Sequence, residues 1–178
     1  MKTLKTDRLI LRAWAESDLD DFYDYAKNPN VGPSAGWQPH KDKAASQEIL
    51  QKFITNDNEW AIVDKETIKV IGSLGIHQDL KREYSKSKMI GYVLSQEYWG
   101  KGIMVEAVKR AIQHLFEETD ITIISVYHFP FNARSKRVIE KCGFQYEGTF
   151  RQSSQHFSGN IYDNVCYSIT KEEYLAKS

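Results

Sequence analysis

The chain has 178 residues, 41% of them apolar and 27% charged, which is enough for one domain with a buried core and too little for two. Lysine plus arginine and aspartate plus glutamate both number 24, so no global field recruits nucleic acid or an acidic membrane surface, and no apolar run approaches the roughly 20 residues of a membrane span. Cys142 and Cys166 stand apart, with no Cys-x-x-Cys and no Cys/His cluster at metal spacing; together with a charged pair inside the opening "MKTLKTDRLILRAW", this predicts a reduced cytoplasmic chain without signal peptide or metal.

In chain order, "RLILRAW" alternates as a strand with one buried face. "ESDLDDFYDYAKN" follows as a helix with Ser17 as N-cap and Leu19, Phe22, Tyr23 and Ala26 at helical spacing. Three prolines and two glycines in the thirteen residues "NPNVGPSAGWQPH" mark a loop. Lys43 to Thr55 reads as a second helix, followed by the strands "EWAIVD", "KVIGSLGIH" and "KMIGYVL". Beyond a glycine turn, Met104, Val108, Ala111, Ile112, Leu115 and Phe116 form the apolar stripe of a third helix. "ITIISVY" is a β-branched strand, and "NARSKRVIEKCG" a helix opened by Asn132 and closed at Gly143. "FQYEGTFRQ" and "NIYDNVCYSI" end the chain as two strands. The order βααβββαβαββ predicts a single domain over 1–178, a mixed sheet covered by helices of the α/β or α+β class.

The turn in "YVLSQEYWGKGIMVEAV" carries the chemistry. A strand passing through Gly100-Lys101-Gly102 into a helix presents unpaired backbone N–H groups at the positive end of the helix, a place for phosphate oxygens. The alternative is a plain tight turn. A dinucleotide fingerprint fails because its third glycine position is Val105, and a Walker A loop fails because Lys101 is followed by Gly102 and the first glycine of G-x-x-x-x-G-K-[ST] is missing.

The same stretch resembles the acetyl-CoA pyrophosphate loop of the GNAT superfamily of N-acetyltransferases. "NARSKRVIEKCGFQYEGTFRQ" and the opening "TDRLILRAWAESDLDDFY" resemble its ribosomal-protein alanine N-acetyltransferase (RimJ/RimL-type) branch. One position departs: Glu97 stands where the motif has Gln or Arg, with Gln96 one residue earlier, so Glu97 is expected to face solvent. The resemblance implies a mostly antiparallel sheet of about seven strands with a central splay, flanked by about four helices. It implies that Tyr92, Val93 and Leu94 hold a pantetheine arm, and that Trp99, Gly100, Lys101, Gly102, Ile103 and Met104 form the pyrophosphate site. Lys101 either adds a point charge there or is a solvated surface lysine.

Asn132 and Ser135 are spaced i, i+3 at a helix start and face one way. By residue type Asn132 is a cap; by resemblance it also contacts the pantetheine arm, and Ser135 lies near the sulfur, where a hydroxyl can return a proton to a departing thiolate. Deprotonation of an amine needs a base or a water chain. His128 has the right intrinsic pKa and by resemblance lies near the splay, with a loop histidine as its alternative; His77 ranks below it. Trp37 and His40 in the Pro/Gly loop are candidate walls of an acceptor pocket, Trp37 alternatively anchoring the loop by packing. The turn "SSQHFSGN" is the candidate opposite wall, and Arg151 is read first as an ion-pair partner or polar cap and second as a substrate contact.

These readings converge on direct acetyl transfer from acetyl-CoA to a primary amine, either a protein N-terminus or a small molecule, in a monomer or homodimer without nucleic-acid or membrane partners. A CoA-binding sensor without turnover is the competing class.

Overall fold

β-Branched and aromatic runs become strands where their alternation places them, and they join one eight-stranded sheet. The computed structural model describes residues 1–176; the last two residues of the expected domain lie outside them. The strands are β1 (Leu4–Lys5), β2 (Leu9–Arg12), β3 (Glu59–Asp64), β4 (Val70–Gln78), β5 (Ser87–Leu94), β6 (Ile123–His128), β7 (Gln145–Gln155) and β8 (Ile161–Thr170). The helices are α1 (Leu19–Ala26), α2 (Gly32–Ala35), α3 (Lys43–Asn56), α4 (Ile103–Glu118), α5 (Ala133–Lys141) and α6 (Lys171–Leu175). No helix among the described residues is long and apolar enough to cross a membrane.

Three elements go beyond the sequence expectation. β1 has two residues, too few for a period to show. α2 is one turn inside the Pro/Gly loop, with Pro33 in its first turn and Gly36 ending it at φ 94°. α6 closes the chain behind a capping box of Thr170 and Glu173. Ser17 does not cap α1: it lies inside a 3-10 turn, Glu16–Asp18, whose Asp18 carboxylate accepts from Ala15 N–H and pairs with Arg12. Asn132 does cap α5, accepting from Ser135 N–H at 3.0 Å.

Sheet order is β1-β2-β3-β4-β5-β6-β8-β7, antiparallel throughout except at β5–β6. A parallel neighbour requires a crossover, and the glycine turn with α4 supplies it. Side chains alternate between two layers. Ile90 and Leu94 of β5 and Ile124 and Val126 of β6 enter the core beneath α4 and α5. Val93 joins Phe22, Tyr25 and Leu50 beneath α1 and α3.

The parallel ladder is short. Ser87, Lys88 and Met89 pair with Ile123, Ile124 and Ser125, and there pairing stops. β5 continues along β4 to Leu94 while β6 continues along β8 to His128, so the middle of the sheet splays open.

Candidate active site

The splay is the candidate site. A cleft of about 930 Å³ runs from the glycine turn, between β5 and β6, to the ends of β4 and the β7–β8 hairpin. Gly100 and Gly102 line one end with φ of 78° and 76°, the left-handed region that glycine enters without strain. Gly102 is the N-cap residue of α4, and nothing lies within 4 Å of where a β-carbon on Gly100 would stand. An oxygen-rich ligand can therefore reach the backbone N–H groups. Arg8 braces the turn from outside, donating to Lys101 O at 3.0 Å while its Nε donates to Glu106 at 2.7 Å.

Ile103 and Met104, the first turn of α4, line the same end. Trp99 turns its indole N–H back onto Leu94 O at 2.8 Å, leaving one face for the Arg134 guanidinium 3.9 Å away. Arg137 and Lys141 follow Arg134 at i+3 and i+7 on α5 and complete a basic lip. That lip was missed in the sequence, although the helical spacing in "ARSKRVIEK" carries its signal. Lys101 is exposed, its ammonium 5.3 Å over the Tyr98 ring and off the cleft lining. Glu97 is exposed as well, and Gln96 accepts from the side-chain amides of Asn28 and Asn30.

Along the splay, Ser95 N–H donates to Ile71 O at 2.7 Å. The antiparallel alternation then turns Val93 and Gly91 amides towards β4, and those of Tyr92 and Leu94 towards the gap. The Tyr92 side chain brings its hydroxyl to 3.0 Å from Ser135 Oγ. Burial raises the Tyr92 pKa well above the ordinary phenol value, and the Ser135 bond offsets only part of this, so it stays protonated. Asn132 lines the cleft but spends its amide on Ser34 O, 2.9 Å away. His128 is buried against Tyr167, its Nδ1 2.7 Å from Phe129 O and its Nε2 without a partner. Its place is thus the α5 side of the sheet. Both cysteines are free and buried, and burial pushes the Cys142 thiol up to about 12.

The far end is lined by His77, Gln78, Leu80, Lys81, Ser154 and Asn164. Trp37 and His40 do not join them. His40 bonds Ser46 Oγ at 2.7 Å and packs on Phe22 and Trp37, and burial lowers its pKa. Both rings face the α1/α3 core because Gly32 leaves room for the indole; the loop's share of the cleft is Val31, Ser34 and Ala35. The β7–β8 hairpin does reach this loop, with His156 Nε2 3.1 Å from Pro33 O. Tyr146 and Arg151 are exposed on β7, away from the cleft lining.

Comparison with known proteins agrees with this geometry. The model of the acetyltransferase (GNAT) domain matches residues 8–145. The chain is 31% identical to the uncharacterized N-acetyltransferase p20 of Bacillus licheniformis, over 98% of this chain and 99% of that one. It is 24% identical to the [ribosomal protein uS5]-alanine N-acetyltransferase of Escherichia coli, over 96% and 92% of the two chains. The microcin C7 self-immunity acetyltransferase MccE, solved with acetyl-CoA and AMP, superposes with a TM-score of 0.80 at 23% identity, covering 93% of each chain. With the family model matching residues 8–145 and a relative 31% identical over nearly the whole of both chains, the chain belongs to the GNAT family and is an acyltransferase.

Proposed function

We propose that this protein moves the acetyl group of acetyl-CoA directly to a primary amine. The observation that carries the reading is the continuity of the cleft: one end holds the glycine turn at the N-terminus of α4 and a basic lip, and the middle is an unpaired strand edge. In this reading the glycine turn takes the pyrophosphate, with Arg134, Arg137 and Lys141 around the remaining phosphate. The edge of β5 receives the pantetheine arm as an added strand, and Ile103 and Met104 pack beside it. Bound acetyl-CoA supplies an activated thioester.

Tyr92 or Leu94 N–H polarises the acetyl carbonyl, and the amine adds from the far end to give a tetrahedral intermediate. On its collapse Ser135 and Tyr92, two neutral hydroxyls in contact, stabilise and protonate the thiolate. His128, with its unpartnered Nε2 on the same side, is the imidazole available to exchange a proton there. Neither buried cysteine is suited to an acyl-enzyme, which fits direct transfer. The acceptor we favour is a protein N-terminal α-amine, in keeping with the Escherichia coli relative named for an alanine of ribosomal protein uS5, with a small-molecule amine next.

Isothermal titration with acetyl-CoA, followed by thiol release across a panel of peptide and small amines, tests the reading. Binding and release together are the expected result. No binding overturns it, and binding without release for any amine leaves a sensor in its place. Within that assay Ser135→Ala is expected to lower kcat by about tenfold to a hundredfold with acetyl-CoA affinity within about threefold of wild type. Tyr92→Phe is expected to cost less, because Ser135 keeps its own hydroxyl. An unchanged kcat in Ser135→Ala removes the hydroxyl from the proton path.

A further inference from the structure

A carboxylate–imidazole pair stands on the other face of the splay, opposite Tyr92, Ser135 and His128. His77 Nε2 lies 3.1 Å from Glu59 Oε1. Their meeting depends on two glycines. Glu59 of β3 registers with Gly75 of β4, which registers with Gly91 of β5, so one row across three strands reads Glu-Gly-Gly. A β-carbon at Gly75 would overlap both the Glu59 carboxylate and His77 Nε2. At Gly91, in the cleft wall, it would stand 3.8 Å from the same nitrogen. The imidazole therefore lies over the bare backbone of Gly75 with Gly91 beside it, and it lines the cleft.

Burial fits the task. The Glu59 side chain is 12% exposed and the His77 side chain 33%, so the carboxylate is sheltered while the ring reaches solvent in the cleft. On the other ring edge the Asn58 side-chain amide approaches Nδ1 at 3.5 Å, the outer limit of a hydrogen bond. The Asn58 amide thus faces Nδ1, and the Glu59 carboxylate stands within ion-pair distance of Nε2. The same face carries Tyr25 of α1, its buried hydroxyl beside Ser73, and Met89 and Gly91 of β5; beyond Met89, Ser125 and Tyr127 of β6 bond the Asp79 carboxylate, which pairs with Arg82, and Lys81 stands over the Tyr127 ring. The basic lip and glycine turn occupy the opposite end, which leaves the His77 end as the entrance for an amine.

We propose that His77, positioned by Glu59, is the base that takes the proton from the attacking amine. The proposal rests on the acetyl-transfer reading above. A bond forms between the amine nitrogen and the acetyl carbon, and the carbon–sulfur bond breaks with its electron pair left on sulfur. The surplus amine proton goes to the His77 imidazole, and the imidazolium stays paired with Glu59 until it returns the proton to water at the open end. The thiolate takes its proton from the Ser135 side. The two proton transfers are thus divided between the two faces of the sheet.

The test compares wild type, His77→Gln and Glu59→Gln, using the best acceptor from a panel of alanyl and seryl peptides, free amino acids and polyamines. Acetyl-CoA affinity is measured alongside kcat/KM from pH 6 to 10. Both variants are expected to bind acetyl-CoA within about threefold of wild type. His77→Gln should lose about a hundredfold in kcat/KM near neutrality and recover as pH approaches the amine's own pKa, where the neutral amine needs no base. Glu59→Gln should displace the acid limb of the profile with a smaller loss. Activity within threefold and an unmoved acid limb in His77→Gln overturn the proposal; so does a rate loss matched by an equal loss of acetyl-CoA affinity, which marks a structural role. Wild type that binds acetyl-CoA and acetylates an amine upholds the function even when the variants reject His77. Wild type that acetylates nothing overturns both.

Discussion

Gly102→Asp is expected to lower acetyl-CoA affinity at least about a hundredfold, equivalent to about 2.7 kcal/mol, with the far-ultraviolet circular dichroism unchanged. Gly102 sits at φ 76° as the N-cap residue of α4, the point where the helix dipole and free N–H groups converge. Aspartate is a good cap elsewhere, and its side chain tolerates left-handed backbone at a cost of about 1–2 kcal/mol, so the fold survives. What it cannot do is share the site. A β-carbon there would stand 3.7 Å from Arg8, and a carboxylate on it would take up that charge and repel phosphates at the same turn. Gly102→Asn separates the two effects, because it keeps the backbone strain and removes the charge. Asparagine should therefore cost clearly less than aspartate. Titration calorimetry reads both variants, and aspartate affinity within threefold of wild type would detach the turn from phosphate binding.

The largest stability effect is expected at Asp79, at the end of β4. Its carboxylate is 1% exposed and accepts from Tyr127 OH at 2.7 Å, Ser125 Oγ at 2.8 Å, Arg82 at 2.6 Å and the Lys81 amide at 3.0 Å. Arg82 also bonds Glu147 on the bulged β7 at 2.5 Å, so one acid ties β4, β6 and the edge strand together. Asp79→Ala leaves a guanidinium, a phenol and a serine hydroxyl without their shared acceptor. The expected loss is about 3–5 kcal/mol, or about 6–20 °C in Tm for a chain of this length, measured by thermal denaturation. Burial alone would raise the Asp79 pKa; the bonds from Tyr127, Arg82, Ser125 and Lys81 outweigh it and hold the carboxyl below its ordinary value. A lowered folded-state pKa gives stability that is complete above the ordinary carboxylate range and fades as pH falls through the folded value. The Tm gap between wild type and Asp79→Ala should therefore narrow in acid. A gap that is constant from neutral to strongly acidic pH would remove the carboxylate as its source.

Much of the architecture was legible because its signals are local. α4 shows an apolar stripe over sixteen residues, and α5 opens on an asparagine cap. The glycine turn declares itself by residue type, since both glycines adopt backbone that other residues avoid. β1, α2 and α6 were missed because two, four and five residues are too few for a period to emerge. Trp37 and His40 look like pocket residues in a Pro/Gly loop, and nothing in the loop itself says that the indole lies over Gly32 with the imidazole beside it. Lys101 has the charge for the phosphate site but stands over Tyr98.

By itself the amino-acid sequence determined most element types, the family and the glycine turn, each written in spacings of a few residues that backbone geometry reads directly. Tertiary structure alone decided where the sheet parts, since that depends on pairing between β5 and β6, thirty-six residues apart in register. It also decided the order β6-β8-β7, the Tyr92–Ser135 contact across 43 residues, and the Glu59–His77 pair over two glycines. Such contacts follow from strand register, and register is settled by the packing of both faces of the sheet at once, which no local stretch of sequence contains.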